Sequence, residues 1–232
     1  MQERKIIVAV DGHSSCGKST LSKQLAQKLK YNYIDTGAMY RAVTLYALRN
    51  KLIHNGVVNT QELINQLPNI KITFIYNEAE QKSDTFMNGE NVEKEIRELE
   101  VSNNVSPIAT IKEVRQAMVK LQQYMGKDKG IVMDGRDIGT VVFPGAELKL
   151  FMTASPEVRA QRRYEELTTK GSSVSFEEIL KNIQERDHID STRKESPLKQ
   201  AEGAVVLDNS NLSREEQLNW VLQKVDEVIH AH

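Results

Sequence analysis

The sequence predicts an α/β protein built on a doubly wound, parallel, five-stranded sheet with helices on both faces, and three observations carry that expectation. Apolar runs at 5–11, 31–35, 130–134, 148–152 and 204–208 read as strands, those at 5–11 and 130–134 continuous enough for burial on both faces. Helical stretches fall between them, so right-handed crossovers set the strands parallel. The first strand also passes directly into Gly12-His13-Ser14-Ser15-Cys16-Gly17-Lys18-Ser19, after which Leu21, Leu25 and Leu29 recur at helical spacing.

The elements follow in order. The strand at 31–35 ends in Thr36-Gly37, and 38–50 reads as a helix. From about Asn55 to Pro107 the buried-strand pattern gives way to shorter, more polar elements, which marks an inserted subdomain: a small antiparallel sheet with flanking helices. Within it Thr60 caps a short helix to Leu67, 71–76 suits a half-exposed strand, and Asn88-Gly89 signals a hairpin turn. The core resumes with a long amphipathic helix over 108–125, whose apolar face carries Ile111, Val114, Met118, Leu121 and Met125. The strand at 130–134 ends in Asp134 and continues into Gly135-Arg136-Asp137. Beyond the strand at 148–152, Ser155-Pro156 starts a helix that Gly171 ends. Capping boxes at Ser175–Glu178 and Ser213–Glu216 open the next helix, to about His188, and the last one. The expected organisation is a core of 1–54 and 108–232 with an insert of 55–107.

Composition narrows the function classes. Lys plus Arg count 31 against 32 for Asp plus Glu, a balance that gives no general attraction to nucleic acid or anionic membrane. A single cysteine makes no internal disulfide, no apolar run approaches the roughly twenty residues of a membrane span, and the first buried strand follows the start too closely for a signal peptide. The expectation is a soluble, cytoplasmic monomer.

The chemistry is concentrated at the strand ends. Strand, glycine loop and helix together form a phosphate-binding loop: backbone N–H groups of 12–20 wrap a polyphosphate at the positive helix end, Lys18 reaches the outer phosphates, and Ser19 offers a hydroxyl to Mg²⁺. Asp134, closing a buried strand, sits where such proteins hold an acid that orients Mg²⁺, although the same place suits a turn or helix cap. Arg41, Arg115, Arg136, Arg186 and Arg193 stand at or near element ends instead of along polar helix faces. Beside a phosphate loop they point to a second anion site, because guanidinium forks bind phosphate and an anionic acceptor must be neutralised. The five histidines are scattered, so no general base is conspicuous; a phosphate oxygen as acceptor needs none. The guanine signature Asn-Lys-x-Asp is absent, against a GTPase. Rivals are a kinase of the same fold acting on a hydroxyl, such as a shikimate- or coenzyme-A-precursor kinase, and a regulatory module that binds ATP without turnover.

Asp35-Thr36-Gly37-Ala38-Met39-Tyr40-Arg41, the segment Asp134-Gly135-Arg136-Asp137-Ile138-Gly139-Thr140-Val141-Val142-Phe143-Pro144, Glu185-Arg186-Asp187 with Asp190 and Arg193, and the insert at its place together resemble the bacterial cytidylate kinases. The likeness covers nearly the whole chain. It implies the P-loop kinase fold with a nucleoside-monophosphate-binding insert and a helical lid over about 154–172. It implies ATP with Mg²⁺ as phosphoryl donor and CMP or dCMP as acceptor. By the same resemblance, residues 12–20 (Thr20 among them) and Arg159 hold ATP, Ser19 and Asp134 serve the metal, and Lys18, Arg136, Arg162 and Arg163 act in transfer. Arg41, Arg136 and Arg193 hold the CMP phosphate, with Thr36 and Tyr40 in the same motif; Ser106, Arg115 and Asp137 read the cytosine edge, and Arg186 and Asp190 meet the ribose. The loop after Asp208 lies near the adenine. This chain departs from the commonest pattern at Ser19, where many members have Gly, and at Thr36, where many have Ser.

Overall fold

The computed structural model describes residues 4–78, 82–169, 171 and 173–230, so Lys170 and Ser172 of the expected lid, and His232 of the tail, lie outside the described residues. The chain divides into two compact units, Met1–Tyr33 with Asp128–His232, and Ile34–Lys127. The second reaches further than the 55–107 insert, because the helices on either side of the insert belong with it.

In chain order the elements are β1 (Ile7–Gly12), α1 (Lys18–Leu29), β2 (Asn32–Asp35), α2 (Thr36–Arg49), β3 (Ile53–His54), β4 (Val57–Val58), α3 (Thr60–Gln66), β5 (Ile72–Asn77), β6 (Lys82–Met87), β7 (Glu90–Asn91), α4 (Leu99–Thr110), α5 (Lys112–Met125), β8 (Ile131–Gly135), β9 (Leu148–Thr153), α6 (Pro156–Thr169), α7 (Phe176–Thr192), β10 (Val205–Asp208) and α8 (Arg214–His230).

The first unit is organised by the parallel five-stranded sheet, ordered β10-β9-β1-β8-β2. Every residue of β1 and β8 is buried, as expected for strands covered on both faces. One face is filled by Ile6, Val8 and Val10 with Leu21 and Leu25 of α1 and Val221 and Val225 of α8, an apolar cluster that fixes both helices on the sheet. Register places Val10 beside Asp134 and Asp11 beside Gly135, so the two strand ends finish level. On the other side of β1, Gly12 pairs with Met152, and a Cβ at Gly12 would come within 2.0 Å of the Met152 carbonyl oxygen. Only glycine fits that approach. Helices α6 and α7 pack through Ala160, Ile179 and Ile183. The boxes predicted at Ser175 and Ser213 both form: Ser175 Oγ accepts from Glu178 N and Ser213 Oγ from Glu216 N, each at 3.2 Å.

In the second unit β5, β6 and β7 form an antiparallel sheet, with Asn88 and Gly89 at φ 52° and 86° making the tight turn that the dipeptide signals. The same chemistry recurs at Asn55-Gly56, φ 49° and 76°, which joins β3 to β4. The sequence reading places the cap of α3 at Thr60; Asn59 is the cap, its side chain accepting from Glu62 N at 3.2 Å. The helix expected over 108–125 is two helices. Ile111 is extended (φ −71°, ψ 121°) between α4 and α5, and α4 runs back through Pro107 to Leu99. The apolar spacing survives the break, since one residue's dihedral switch leaves the i, i+4 pattern of Val114 and Met118 intact.

Candidate active site

The loop between β1 and α1 turns through Ser15 and Gly17 at positive φ, 57° and 91°, and Gly17 precedes α1 with no side chain capping it. The first turn of α1 therefore keeps its N–H groups for an anion. Lys18 is buried and turned back on the loop: its Nζ donates to the His13 carbonyl at 2.5 Å and lies 3.6 Å from Cys16 Sγ. Burial, and then the nearby Arg136 charge, push the Lys18 ammonium below its usual range. His13 is held low by burial, with Arg159, Arg136 and Lys18 adding to the effect against Asp187.

At the end of β8, Asp134 accepts from Ser19 Oγ at 2.9 Å through one carboxylate oxygen and from Tyr33 Oη at 2.7 Å through the other. Two hard oxygen donors, one from the loop and one from a strand end, thus stand side by side. They suit Mg²⁺, which takes few protein ligands and keeps water and phosphate oxygens in the remaining positions. Among the described residues no group of three or more His, Cys, Asp or Glu gathers to hold a metal.

Arginines collect beside the loop. Arg159 is buried, with Nε on the Ala154 carbonyl at 2.9 Å, one Nη on the Ser14 carbonyl at 3.3 Å, and a bidentate pair to Asp187 at 3.0 and 2.6 Å. Arg136 Nε donates to Asp190 at 2.8 Å, and Arg193 lies 3.5 Å from the other Asp190 oxygen while donating to the Ser196 carbonyl. Burial works against the Asp190 carboxylate, but Arg136 and Arg193 outweigh it and hold the group below the ordinary range. Burial, with Arg136 adding, pushes Arg186 down, and its buried Nε has no hydrogen-bond partner among the described residues. Arg162 donates to Asn209 through both terminal nitrogens, at 3.1 Å to Oδ1 and 2.9 Å to the carbonyl. Arg163 instead pairs with Glu166 one turn along α6, at 2.8 Å. Thr20 is exposed on α1.

In the unit Ile34–Lys127, Asp35 caps α2 through the Ala38 N–H at 3.1 Å and pairs with Arg97 at 2.8 Å. Thr36 and Tyr40 are buried on α2. Arg41 donates to Ser102 Oγ at 2.8 Å and to the Ile96 carbonyl at 3.3 Å, so it meets α4 one turn before Ser106, which is half-buried. Arg115 is buried, donates to the Ala109 carbonyl at 3.0 Å and lies 5.3 Å from the Tyr40 ring centre, a cation–π distance. Asp137 belongs to the first unit and is buried; its carbonyl accepts from Val141 and Val142 to start a π-helical turn over Ile138–Val142.

Two residues in this region escaped the sequence reading. Asp11, 2 % exposed, accepts from the Ile138 and Gly139 amides, both at 2.7 Å, and burial pushes its carboxyl up to about 6 against those amides. Like Asp134 it is an acid ending a buried strand, so the rule that singles out one applies to the other. Asn209, just past β10, joins Arg162 to the Cys16 carbonyl of the loop at 2.7 Å. A lone Asn after a strand gives no comparable signal.

Comparison with known proteins agrees with this geometry. The family described as cytidylate kinase matches residues 8–227. The chain is 57 % identical over 226 residues to the cytidylate kinase of Parabacteroides distasonis, covering 97 % of this chain and 99 % of that one. It is 58 % identical over 224 residues to that of Porphyromonas gingivalis, covering 96 % and 97 %. Among solved structures, an uncharacterized protein from Eubacterium ventriosum shares the fold at a TM-score of 0.54 with 9 % identity, covering 97 % of this chain and 99 % of that one. With the family model matching residues 8–227 and these relatives more than half identical over nearly their whole length, this chain belongs to the cytidylate kinase family.

Proposed function

We infer that the protein transfers the γ-phosphoryl group of ATP to CMP or dCMP, giving ADP and CDP or dCDP. The observation that carries this reading is the surplus of guanidinium charge beside the phosphate loop: Arg136, Arg159, Arg186 and Arg193 stand against the carboxylates of Asp187 and Asp190. A hydroxyl as acceptor group needs no such charge beside it, whereas a phosphate acceptor must be neutralised before a second anion approaches it.

In this reading Gly12 to Thr20 and Arg159 hold the ATP phosphates, and Lys18 exchanges the His13 carbonyl for a phosphate oxygen. Arg41, Arg136 and Arg193 take the acceptor phosphate, with Thr36 and Tyr40 supporting that motif; Arg186 and Asp190 meet the sugar; Ser106, Arg115 and Asp137 read the base. Arg162 and Arg163, on a lid of about 154–172, neutralise charge on the group in flight. Ser19 and Asp134 would hold Mg²⁺, which would supply positive charge against the negative charge that develops in transfer. No side chain is needed as a base, because the acceptor oxygen is already anionic near neutral pH; positioning and charge neutralisation carry the rate. The insert 55–107 serves the acceptor, and the protein works as a cytoplasmic monomer. Among the described residues no helix is long and apolar enough to cross a membrane.

The test is ADP formation that depends on CMP, read in a coupled assay, with UMP as competitor. Cytosine offers an amino donor and an N3 acceptor where uracil offers a carbonyl and an N–H, so a carboxylate both attracts the first and rejects the second. Losing a buried polar partner costs about 1–3 kcal/mol, so Asp137→Ala should cut the CMP-over-UMP ratio of kcat/KM roughly tenfold or more. A ratio unchanged in both Asp137→Ala and Arg115→Ala removes these residues from base selection.

A further inference from the structure

Asn209 is 1 % exposed and its side chain makes three hydrogen bonds. Nδ2 donates to the Cys16 carbonyl of the phosphate loop at 2.7 Å and to Gln217 Oε1 of α8 at 2.9 Å. Oδ1 accepts from Arg162 at 3.1 Å, and the Asn209 carbonyl accepts from the other Arg162 nitrogen at 2.9 Å. The backbone is anchored too, since Asn209 N donates to the Thr153 carbonyl at the end of β9, at 3.0 Å. Gln217 is itself oriented, its Nε2 donating to the Leu212 carbonyl at 2.9 Å, so its oxygen must face Asn209.

The chemistry of a carboxamide makes this arrangement directional. Its nitrogen only donates and its oxygen only accepts. With two acceptors, Cys16 O and Gln217 Oε1, on one side, the amide has a single satisfied orientation, and that orientation turns Oδ1 to Arg162. An aspartate here would set carboxylate oxygens against two other oxygens, and a serine is too short to reach both sides.

We propose that Asn209 is a positioning residue for phosphoryl transfer: it ties the Arg162 guanidinium to the phosphate loop, with Gln217 fixing the amide's direction. This rests on the reading of Arg162 as a group that neutralises transferring charge. Arg162 has a long side chain with several rotatable bonds, and holding it by two bonds to one buried residue lowers the cost of ordering it when the phosphoryl group moves. Asn209 touches no reacting atom in this scheme, and its contribution passes through Arg162.

The test is a double-mutant cycle read in kcat and in KM for CMP, with thermal unfolding of each variant recorded alongside. Asn209→Ala should lower kcat about tenfold with KM for CMP within about twofold, because only interactions made during transfer are lost. In an Arg162→Ala background the same substitution should change kcat by less than about twofold. Gln217→Leu, which leaves Arg162 and Asn209 in place but frees the amide to flip, should lower kcat about threefold in the parent and leave it unchanged in the Arg162→Ala background. If Asn209→Ala does not fold, the Gln217→Leu pair decides alone. Equal losses in both backgrounds, unchanged kcat in the single variants, or an Arg162→Ala protein with the parent's kcat would overturn the proposal. A parent protein that forms no ADP in response to CMP sinks the kinase reading and this inference with it; a parent that does, with no coupling between positions 209 and 162, sinks only this one.

Discussion

Asp11 and Asp134 end neighbouring strands of the same sheet, one residue apart in register and almost equally buried at 2 % and 4 % exposure, yet they are held by opposite kinds of partner. Asp11 accepts from two backbone amides, Ile138 and Gly139, which cannot leave without unfolding the π-helical turn. Asp134 accepts from two hydroxyls, Ser19 and Tyr33, each of which can rotate away. Burial and position on a strand therefore do not assign a role to an acid; the mobility of its partners does. Fixed amides make a carboxylate a structural clamp, and rotatable hydroxyls leave it available to a metal.

The largest expected effect separates the two acids by what they break. Asp134→Ala should lower kcat by a hundredfold to a thousandfold, the scale of losing a group that places the metal in phosphoryl transfer. Its melting temperature should move by only about a few degrees, because Ser19 and Tyr33 are half-buried and their hydroxyls can turn to water. Circular dichroism melting and a coupled assay on one preparation check both halves. An Asp134→Ala protein that is unfolded at assay temperature would make this acid a clamp like Asp11 and erase the comparison.

A smaller effect comes from the titration of Asp11. Burial raises its folded-state pKa to about 6 from an unfolded value of 3.8. Between those values the native state holds more protons than the unfolded chain, so this carboxyl's contribution to stability falls as pH rises through that window. Each pKa unit corresponds to about 1.4 kcal/mol, which makes the fall about 3 kcal/mol at most. Asp11→Asn cannot titrate. It should be less stable than the parent at pH 4, since one of the two amides loses its acceptor, and that deficit should shrink by up to about 3 kcal/mol as pH climbs from 4 to 7. Other carboxylates, Asp35 and Asp190 among them, titrate alike in both proteins, so the difference between urea unfolding curves isolates Asp11. Parallel stability–pH curves for parent and variant would show that the carboxyl is not raised.

What was legible in the sequence was what is encoded locally. The loop of Gly12 to Ser19 declares itself because its glycines answer to short-range demands: a close approach to Met152 at Gly12 and a positive φ at Gly17. The hairpin at Asn88-Gly89 and the capping boxes at Ser175 and Ser213 are equally local. Features decided by one dihedral or one distant partner were not legible. The break at Ile111 leaves the apolar spacing of α5 untouched, and the contact of Arg41 with Ser102 depends on a helix start at Leu99 that no local signal marks. Asn209 meets Cys16 across 193 residues of chain, a pairing no local pattern announces. Asp11 is different: it met the rule applied to Asp134, and what the sequence lacked was the knowledge that the chain after Asp137 would turn its amides toward it.

The smallest effect tests the exchangeable half of the comparison at its weakest partner. Ser19 Oγ lies 2.9 Å from Asp134, and in the proposed function both oxygens would hold Mg²⁺. Mg²⁺ takes few protein ligands and keeps water in its remaining positions, so a water can stand in for a lost hydroxyl. Ser19→Ala should therefore lower kcat by only about tenfold, near 1.4 kcal/mol, the scale of one polar contact. The clearer signature is in the metal dependence. With one protein oxygen fewer, the variant should need several times more free Mg²⁺ for half-maximal turnover, while KM for CMP stays near the parent's and Ser19→Thr restores both values. Folding should be indifferent, because Asp134 keeps the Tyr33 hydroxyl at 2.7 Å. If Ser19→Ala shows the parent's Mg²⁺ dependence but a lower melting temperature, the hydroxyl serves Asp134 as a fixed structural partner, and the division between the two acids is one of degree.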